Sequence, residues 1–309
     1  MKENIVFFGT SPFAASILEA LNDQFEVCLV VSQPDQKVGR KQLLEQSPVA
    51  LKAAELGLGV SKPENLKSAE VLADLAKLKA TLFVVVAYGR ILDQKILTLP
   101  KKGAINVHGS LLPKYRGASP IHAALLNGDI RTGITIMLMD RALDHGPILS
   151  QERVEIVPSD TFPVLEQKLL ITARNLLLKT IPDYLNDKIE PQNQDERQAS
   201  YTGIISKKDG LIDWGQDASK IYNQFRAYCL WPGIFTDWQG RLLKVTECLP
   251  SEVSKNLKPG KVFFEEHKIY VACQSGALEI IEIQLEGKKK TKASDFIRGH
   301  PTFLNATLG

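Results

Sequence analysis

The feature that most restricts this chain is the period of its apolar residues, which changes along the sequence. In the first 150 residues, short and nearly continuous apolar runs (Asn4–Phe8, Phe25–Val31, Thr81–Ala87, Ala104–His108 and Ile134–Met139) alternate with segments of helical spacing. Phe13, Ile17, Leu18 and Leu21 recur at helical intervals after Pro12. Val49, Leu51 and Ala54 are expected to face inward after Ser47-Pro48, and Pro120–Leu126 also reads as a helix. A strand that is apolar on every residue needs cover on both faces, which a parallel sheet between two helical layers supplies. The pattern predicts a doubly wound, mostly parallel α/β domain, with its site in the loops beyond the carboxyl ends of the strands.

Past residue 160 the period changes. Thr161 to about Tyr184 reads as one long helix. The next stretch, 186–200, holds Pro191-Gln-Asn-Gln-Asp-Glu-Arg and almost no apolar side chains, so it is expected not to pack and to act as a linker. Apart from an amphipathic stretch at Ala218–Tyr228, the remainder consists of short strand-like runs: Ile234–Trp238, Leu242–Cys248, Lys261–Glu265, Lys268–Cys273 and Leu278–Gln284. Such spacing predicts a small barrel or sandwich. The 309 residues accommodate two domains. The expected division is 1–185, a linker at 186–206, and 207–309.

Apolar residues make up 44% of the chain and charged residues 24%, which excludes a largely disordered chain or a disulfide miniprotein. No apolar run reaches membrane-spanning length, and the opening Met1-Lys2-Glu3-Asn4 leads straight into a strand, so a cytoplasmic protein is expected. Cys28, Cys229, Cys248 and Cys273 form no C-x-x-C pair. They are expected to be reduced and mostly buried, and no metal is expected. Residues 1–206 carry 23 Lys/Arg against 23 Asp/Glu, and residues 207–309 carry 15 against 12. The surplus, much of it Lys288-Lys289-Lys290 and Lys292, suits a nucleic-acid backbone as well as a solvated loop. No apolar surface stripe is evident, so a monomer is expected.

Gly9-Thr10-Ser11-Pro12 lacks a G-x-G-x-x-G series and no phosphate-loop motif occurs, so this turn reads as a plain strand-to-helix connection. The chemistry concentrates elsewhere. In Asn106-Val-His-Gly-Ser-Leu-Leu-Pro-Lys-Tyr-Arg-Gly, strand alternation puts Asn106 and His108 on one face at a strand's carboxyl end. Met139-Asp-Arg-Ala-Leu-Asp-His-Gly-Pro offers Asp140 and Asp144 in a Gly/Pro-bounded loop, which a neighbouring parallel strand would bring alongside. A carboxylate beside His108 would fix its ring and favour its charged form. Three chemistries fit. Ser110 could be a hydrolase nucleophile, although no G-x-S-x-G elbow exists. His108, Asp144 and His145 could hold a metal. Alternatively no side chain becomes covalent: an external amine attacks a carbonyl, Asn106 and protonated His108 donate to the oxyanion, and Asp144 steadies the imidazolium.

These residues resemble the folate-dependent formyltransferases. The likeness rests on Asn106-Val-His-Gly-Ser-Leu-Leu-Pro, Tyr115-Arg-Gly-Ala-Ser-Pro-Ile and Leu143-Asp-His-Gly. It extends through Phe7-Phe-Gly-Thr-Ser, Gln33-Pro-Asp, Gly39-Arg40, Val84-Val-Val-Ala-Tyr-Gly, Ser206-Lys-Lys-Asp-Gly and Trp231-Pro-Gly. The resemblance implies an OB-like β-barrel after the α/β domain. It also implies transfer of formyl from 10-formyltetrahydrofolate to the α-amino group of methionyl initiator tRNA, through a tetrahedral intermediate. Asn106, His108 and Asp144 match catalytic positions. Ser110, Leu111, Leu112 and Pro113 match the folate segment, and the strand end with Val86 and Tyr88 is expected to line that pocket. Arg40 matches a loop that reaches the acceptor stem, and Lys207 a lysine near the domain junction. After Arg40 the loop reads Lys41-Gln-Leu-Leu-Glu-Gln, less basic than the family pattern, which implies fewer phosphate contacts. Trp231 and Trp238 are expected in the barrel core. The alternative acceptor is a small amine, an amino sugar nucleotide or a glycinamide ribonucleotide.

Overall fold

The computed structural model describes residues 3–38 (the side chain of 38 excepted), 42–253 and 255–309. Two compact units emerge, Met1–Pro120 with Arg131–Glu155 and Glu166–Gly203, and Ile121–Ile130 with Ile156–Leu165 and Ile204–Gly309.

In the first unit the strands are β1 (Asn4–Gly9), β2 (Glu26–Val31), a small hairpin of β3 (Gln36–Val38) and β4 (Leu43–Glu45), β5 (Val60–Ser61), β6 (Leu82–Val86), β7 (Ala104–His108), β8 (Arg116–Gly117), β9 (Arg131–Leu138), β10 (Ile148–Glu155) and β11 (Tyr201–Thr202). Seven of them form one sheet in the order β10-β9-β7-β6-β1-β2-β5. The ladders from β7 to β5 are parallel, while β9 and β10 run antiparallel. The mostly parallel sheet expected from the continuous apolar runs is therefore present. All five residues of β6 are buried, each such side chain contributing about 1.5–3 kcal/mol.

Helix α1 (Pro12–Gln24) starts where Ser11 Oγ accepts the Ala14 N–H, with Pro12 in its first turn. Gly9 permits that close turn, because a Cβ there would lie 2.7 Å from the Phe7 ring. Helix α2 (Pro48–Glu55), capped by Ser47, buries Val49, Ala50 and Ala53. Leu51 and Ala54 are both exposed, contrary to the expected inward set: at 100° per residue, the face set by Val49, Ala50 and Ala53 excludes them. The first unit continues with α3 (Ala69–Lys77) and α4 (Gln94–Leu97). Helix α5 (Pro120–Leu126) follows β8, and the long helix α6 (Phe162–Leu185) follows β10.

The second unit holds α7 (Ala218–Tyr228) and an antiparallel sheet of β12 (Ile234–Trp238), β13 (Arg241–Ser251), β14 (Val262–Glu265), β15 (Lys268–Ala272) and β16 (Ala277–Leu285). Its order is β12-β13-β16-β15-β14, and β17 (Thr291–Lys292) pairs with β16 before α8 (Ala293–Gly299). The expected run of short strands after an amphipathic helix is therefore present as an antiparallel sheet. Trp238 is in the core, edge-on to Phe296 and Phe303, but Trp231 is 54% exposed and is not a core residue. It lies in the turn after α7, beyond the strands that bury Trp238. Cys248 and Cys273 are buried, whereas Cys28 and Cys229 are only half-buried. No helix among the described residues is long and apolar enough to cross a membrane.

Candidate active site

Asn106 and His108 leave the same face of β7, which is hydrogen-bonded to β6 on one side and β9 on the other. Asp144 meets both. Its Oδ1 accepts from Asn106 Nδ2 at 3.3 Å, its Oδ2 accepts the Gly117 N–H at 2.8 Å, and that same Oδ2 lies 3.6 Å from His108 Nδ1. The side chains of His108 and Asp144 are only 5% and 12% exposed, so their charges act with little solvent between them.

The route by which Asp144 arrives differs from the expected one. Strand β9 is antiparallel to β7, so its carboxyl end at Leu138 lies beside Ile105 and not beside His108. The loop after it must reach back along β7. Gly146 makes the reversal possible, since a Cβ there would stand 1.9 Å from the Leu138 carbonyl oxygen. Asp144 itself holds a left-handed backbone, φ 49°, which costs an aspartate less than a bulkier residue.

His108 Nε2 lies 3.0 Å from the Tyr115 carbonyl, which can only accept. The neutral ring therefore carries its proton on Nε2 and presents a bare Nδ1 toward Asp144. Burial pushes the imidazole below the usual histidine range, and the Asp144 charge and the Tyr115 bond pull it back only in part. Asp144 thus favours the charged form, as expected, but desolvation is the larger effect and the net shift is downward.

The same geometry sorts the competing chemistries. Ser110 Oγ donates to the Lys114 carbonyl at 2.6 Å, so this serine does not present its proton to His108. His145 turns to Asp140 and Glu196, at 2.6 and 3.3 Å, and not toward His108, so the three candidate metal ligands do not converge. The Ser110–Pro113 segment is pinned to the sheet. Thr135 Oγ1 donates to the Ser110 carbonyl and accepts the Leu112 N–H, and Gln151 Nε2 donates to the Leu112 carbonyl. Leu111 packs over Gly133.

Val86 ends β6 opposite Gly9 and is buried. The Tyr88 ring is buried as well, edge-on to Phe8, so this position offers its main chain and not its ring. The Tyr88 carbonyl gathers Thr10 Oγ1 and Gln33 Nε2 at the point where the strand order reverses, between β1 and β6. Lys207 is exposed at the start of a short 3₁₀ turn, Lys207–Gly210, in the second unit. Gly39, Arg40 and Lys41 lie outside the described residues; the following Leu43 and Leu44 are exposed on β4.

Residues of the segment expected to hang free also belong here. Gln194 and Glu196 bind the site's loops through Arg116, which is 1% exposed. Polar composition does not prevent packing when every buried polar group finds a partner. Sequence reasoning missed them because they follow no apolar period and lie 78 and 80 positions from Arg116.

Comparison with known proteins places the chain. A formyl transferase family model matches residues 3–181, and the model of the formyl transferase carboxyl-terminal domain matches residues 204–301. The methionyl-tRNA formyltransferase of Caldicellulosiruptor saccharolyticus is 45% identical over 303 residues, covering 96% of this chain and 97% of its own length. That of Dehalococcoides mccartyi is 42% identical over 307 residues, with 99% and 97% covered. Among solved structures, an N-formyltransferase from Helicobacter canadensis, in complex with folinic acid and dTDP-3-aminofucose, aligns with a TM-score of 0.66 at 20% identity. That alignment covers 94% of this chain and 100% of the other. The sugar 3N-formyl transferase WlaRD, solved with dTDP and 5-N-formyl-THF, aligns at a TM-score of 0.68 and 18% identity with the same coverage, and both show likeness of fold. The chain belongs to the formyl transferase family and, within it, is an enzyme of the methionyl-tRNA formyltransferase group.

Proposed function

We propose that this enzyme moves a formyl group from 10-formyltetrahydrofolate to the α-amino group of methionyl initiator tRNA, with Asn106, His108 and Asp144 as its catalytic residues. The observation that carries the reading is the convergence of one amide donor, one imidazole and one carboxylate within 3.6 Å, the last two largely shielded from solvent. The identity of 42–45% over almost the whole chain supports the choice of acceptor.

The donor set suits a formyl carrier. When bound, 10-formyltetrahydrofolate supplies a carbonyl carbon attached to a nitrogen leaving group. Asn106 Nδ2 donates a hydrogen bond to the formyl oxygen as it gains charge, a single donor of this kind being worth about 10²–10³ in rate. The acceptor, a free α-amine of pKa ~7.7–8.0 lowered further by its ester, is substantially neutral at pH 7. Its surplus proton passes to the bare Nδ1 of His108. The imidazolium then pairs with Asp144 Oδ2 and returns the proton to the leaving nitrogen. His108 thus serves as base before it serves as acid. Ser110–Pro113, with Val86 and Tyr88, is the segment assigned to folate contact. Arg40 and Lys207 are assigned to tRNA. The corresponding division is a catalytic domain at 1–185, a connector at 186–206 and a tRNA-binding domain at 207–309, acting as a monomer.

The test supplies 10-formyltetrahydrofolate with methionyl initiator tRNA or with an amino sugar nucleotide and identifies the product. Formyl-methionyl-tRNA is expected, with tRNA binding that weakens as salt is added. Formylation of the sugar alone would overturn the reading.

A further inference from the structure

The segment 192–202 contributes few apolar side chains, yet its polar groups are spent on the two loops that bracket the site. Gln192 exchanges two main-chain hydrogen bonds with Ile148, and β11 pairs in parallel with β8. Ser200 Oγ accepts the Tyr115 N–H at 2.9 Å, and its carbonyl accepts the Arg116 N–H at 2.8 Å. Tyr115 is the residue whose carbonyl holds His108.

Gln194 reaches the other loop. Its Nε2 donates to the carbonyls of Asp144 and Gly146, at 2.9 and 2.8 Å, on either side of His145. Its Oε1 accepts from Arg116 Nε and Nη2 at 3.1 and 2.8 Å. A guanidinium offers only donors, so Arg116 compels the amide oxygen to face it and the NH2 to face the two carbonyls. Arg116 is held in turn by both oxygens of Glu196, at 2.9 and 2.7 Å. No apolar anchor does this work for the loop, because Arg141, Ala142, Leu143 and His145 are all exposed.

We propose that Gln194, oriented by Arg116, is a positioning residue: it locks the left-handed turn at Asp144 and so aims the carboxylate at Asn106 and His108. The inference rests on the reading of Asp144 as a member of the site. Displacing such a group by an ångström costs about 10²-fold in rate.

Two variants test it. Gln194→Ala removes both ends of the amide. Gln194→Glu keeps an acceptor for Arg116, and hence the fold, but has no proton to give the two carbonyls. Both are expected to lower kcat for formylation of methionyl initiator tRNA by about 10- to 100-fold, with KM for 10-formyltetrahydrofolate little changed. In ¹³C-histidine NMR, Gln194→Ala should also move the His108 titration further down, since the nearby Asp144 charge is what raises it. Unchanged kcat in both variants, or a loss of kcat without movement of the His108 titration, would overturn the positioning role. Asp144→Asn runs in the same assay. Full turnover in that variant would sink the reading of the site itself, whereas its loss beside an active Gln194→Glu would sink only the clamp.

Discussion

The two halves of the site are built by different physics. Asn106 and His108 stand on a strand paired along both edges, in a sheet whose neighbouring strand β6 is apolar on every residue. Asp144 stands on a loop with exposed flanks, held by amide and guanidinium hydrogen bonds. Burial of apolar area is non-directional and tolerates sliding, but strand pairing removes that freedom and places two side chains at a definite spacing. The loop has no ladder of its own and depends on a few directional bonds and one obligatory glycine. The strand half is therefore expected to fail only when its reacting groups are removed, and the loop half to fail when remote supports are removed.

The largest effect expected is on the strand half. His108→Ala should lower turnover by about 10²–10⁴, the range for loss of a general acid–base group, with the unfolding transition close to that of the parent protein. Initial rates of formylation measure this, and a variant retaining most of its turnover would remove His108 from the reaction. A smaller but more telling effect belongs to the loop half. Gly146→Ala must push its new methyl away from the Leu138 carbonyl, which costs about 1–3 kcal/mol of stability and displaces Asp144 with it. Urea unfolding together with the formylation rate should show both losses. A loss of stability with full activity would mean that the turn can move without moving the carboxylate.

The smallest effect separates burial from partnership. His122, in the second unit, stacks on Phe162 at 4.1 Å, and burial alone pushes it down to about 4. His108 is pushed the same way but faces a carboxylate that opposes the shift. Below pH 6.5 the unfolded chain binds protons that the folded rings refuse, so stability is complete above pH 6.5 and falls as pH drops toward 4. Thermal unfolding across that interval should show the decline, and His122→Phe, which keeps a stacked ring, should flatten it. An unchanged slope in that variant would assign the acid sensitivity to other groups.

Much of the first half of the site can be read from letters alone. Alternation along Ala104–His108 puts 106 and 108 on one face, because the side-chain period of a strand is local and needs no knowledge of neighbours. The Asp-His-Gly turn marks 144 as a loop carboxylate. The antiparallel course of β9 is not legible, because an apolar strand reads the same in either direction. The downward shift of His108 is equally hidden, since it follows from how completely other segments desolvate the ring.

The stretch around Gln194 marks the boundary between the two kinds of information. Local chemistry, propensity and apolar period fix where strands and helices begin and end, and they bring an amide and an imidazole to one strand face. Which distant polar side chain closes on Arg116, and which way the loop of Asp144 turns, depends on contacts between residues tens of positions apart. Those pairings have no period to betray them: a buried guanidinium demands acceptors, and only the folded chain determines which residues answer.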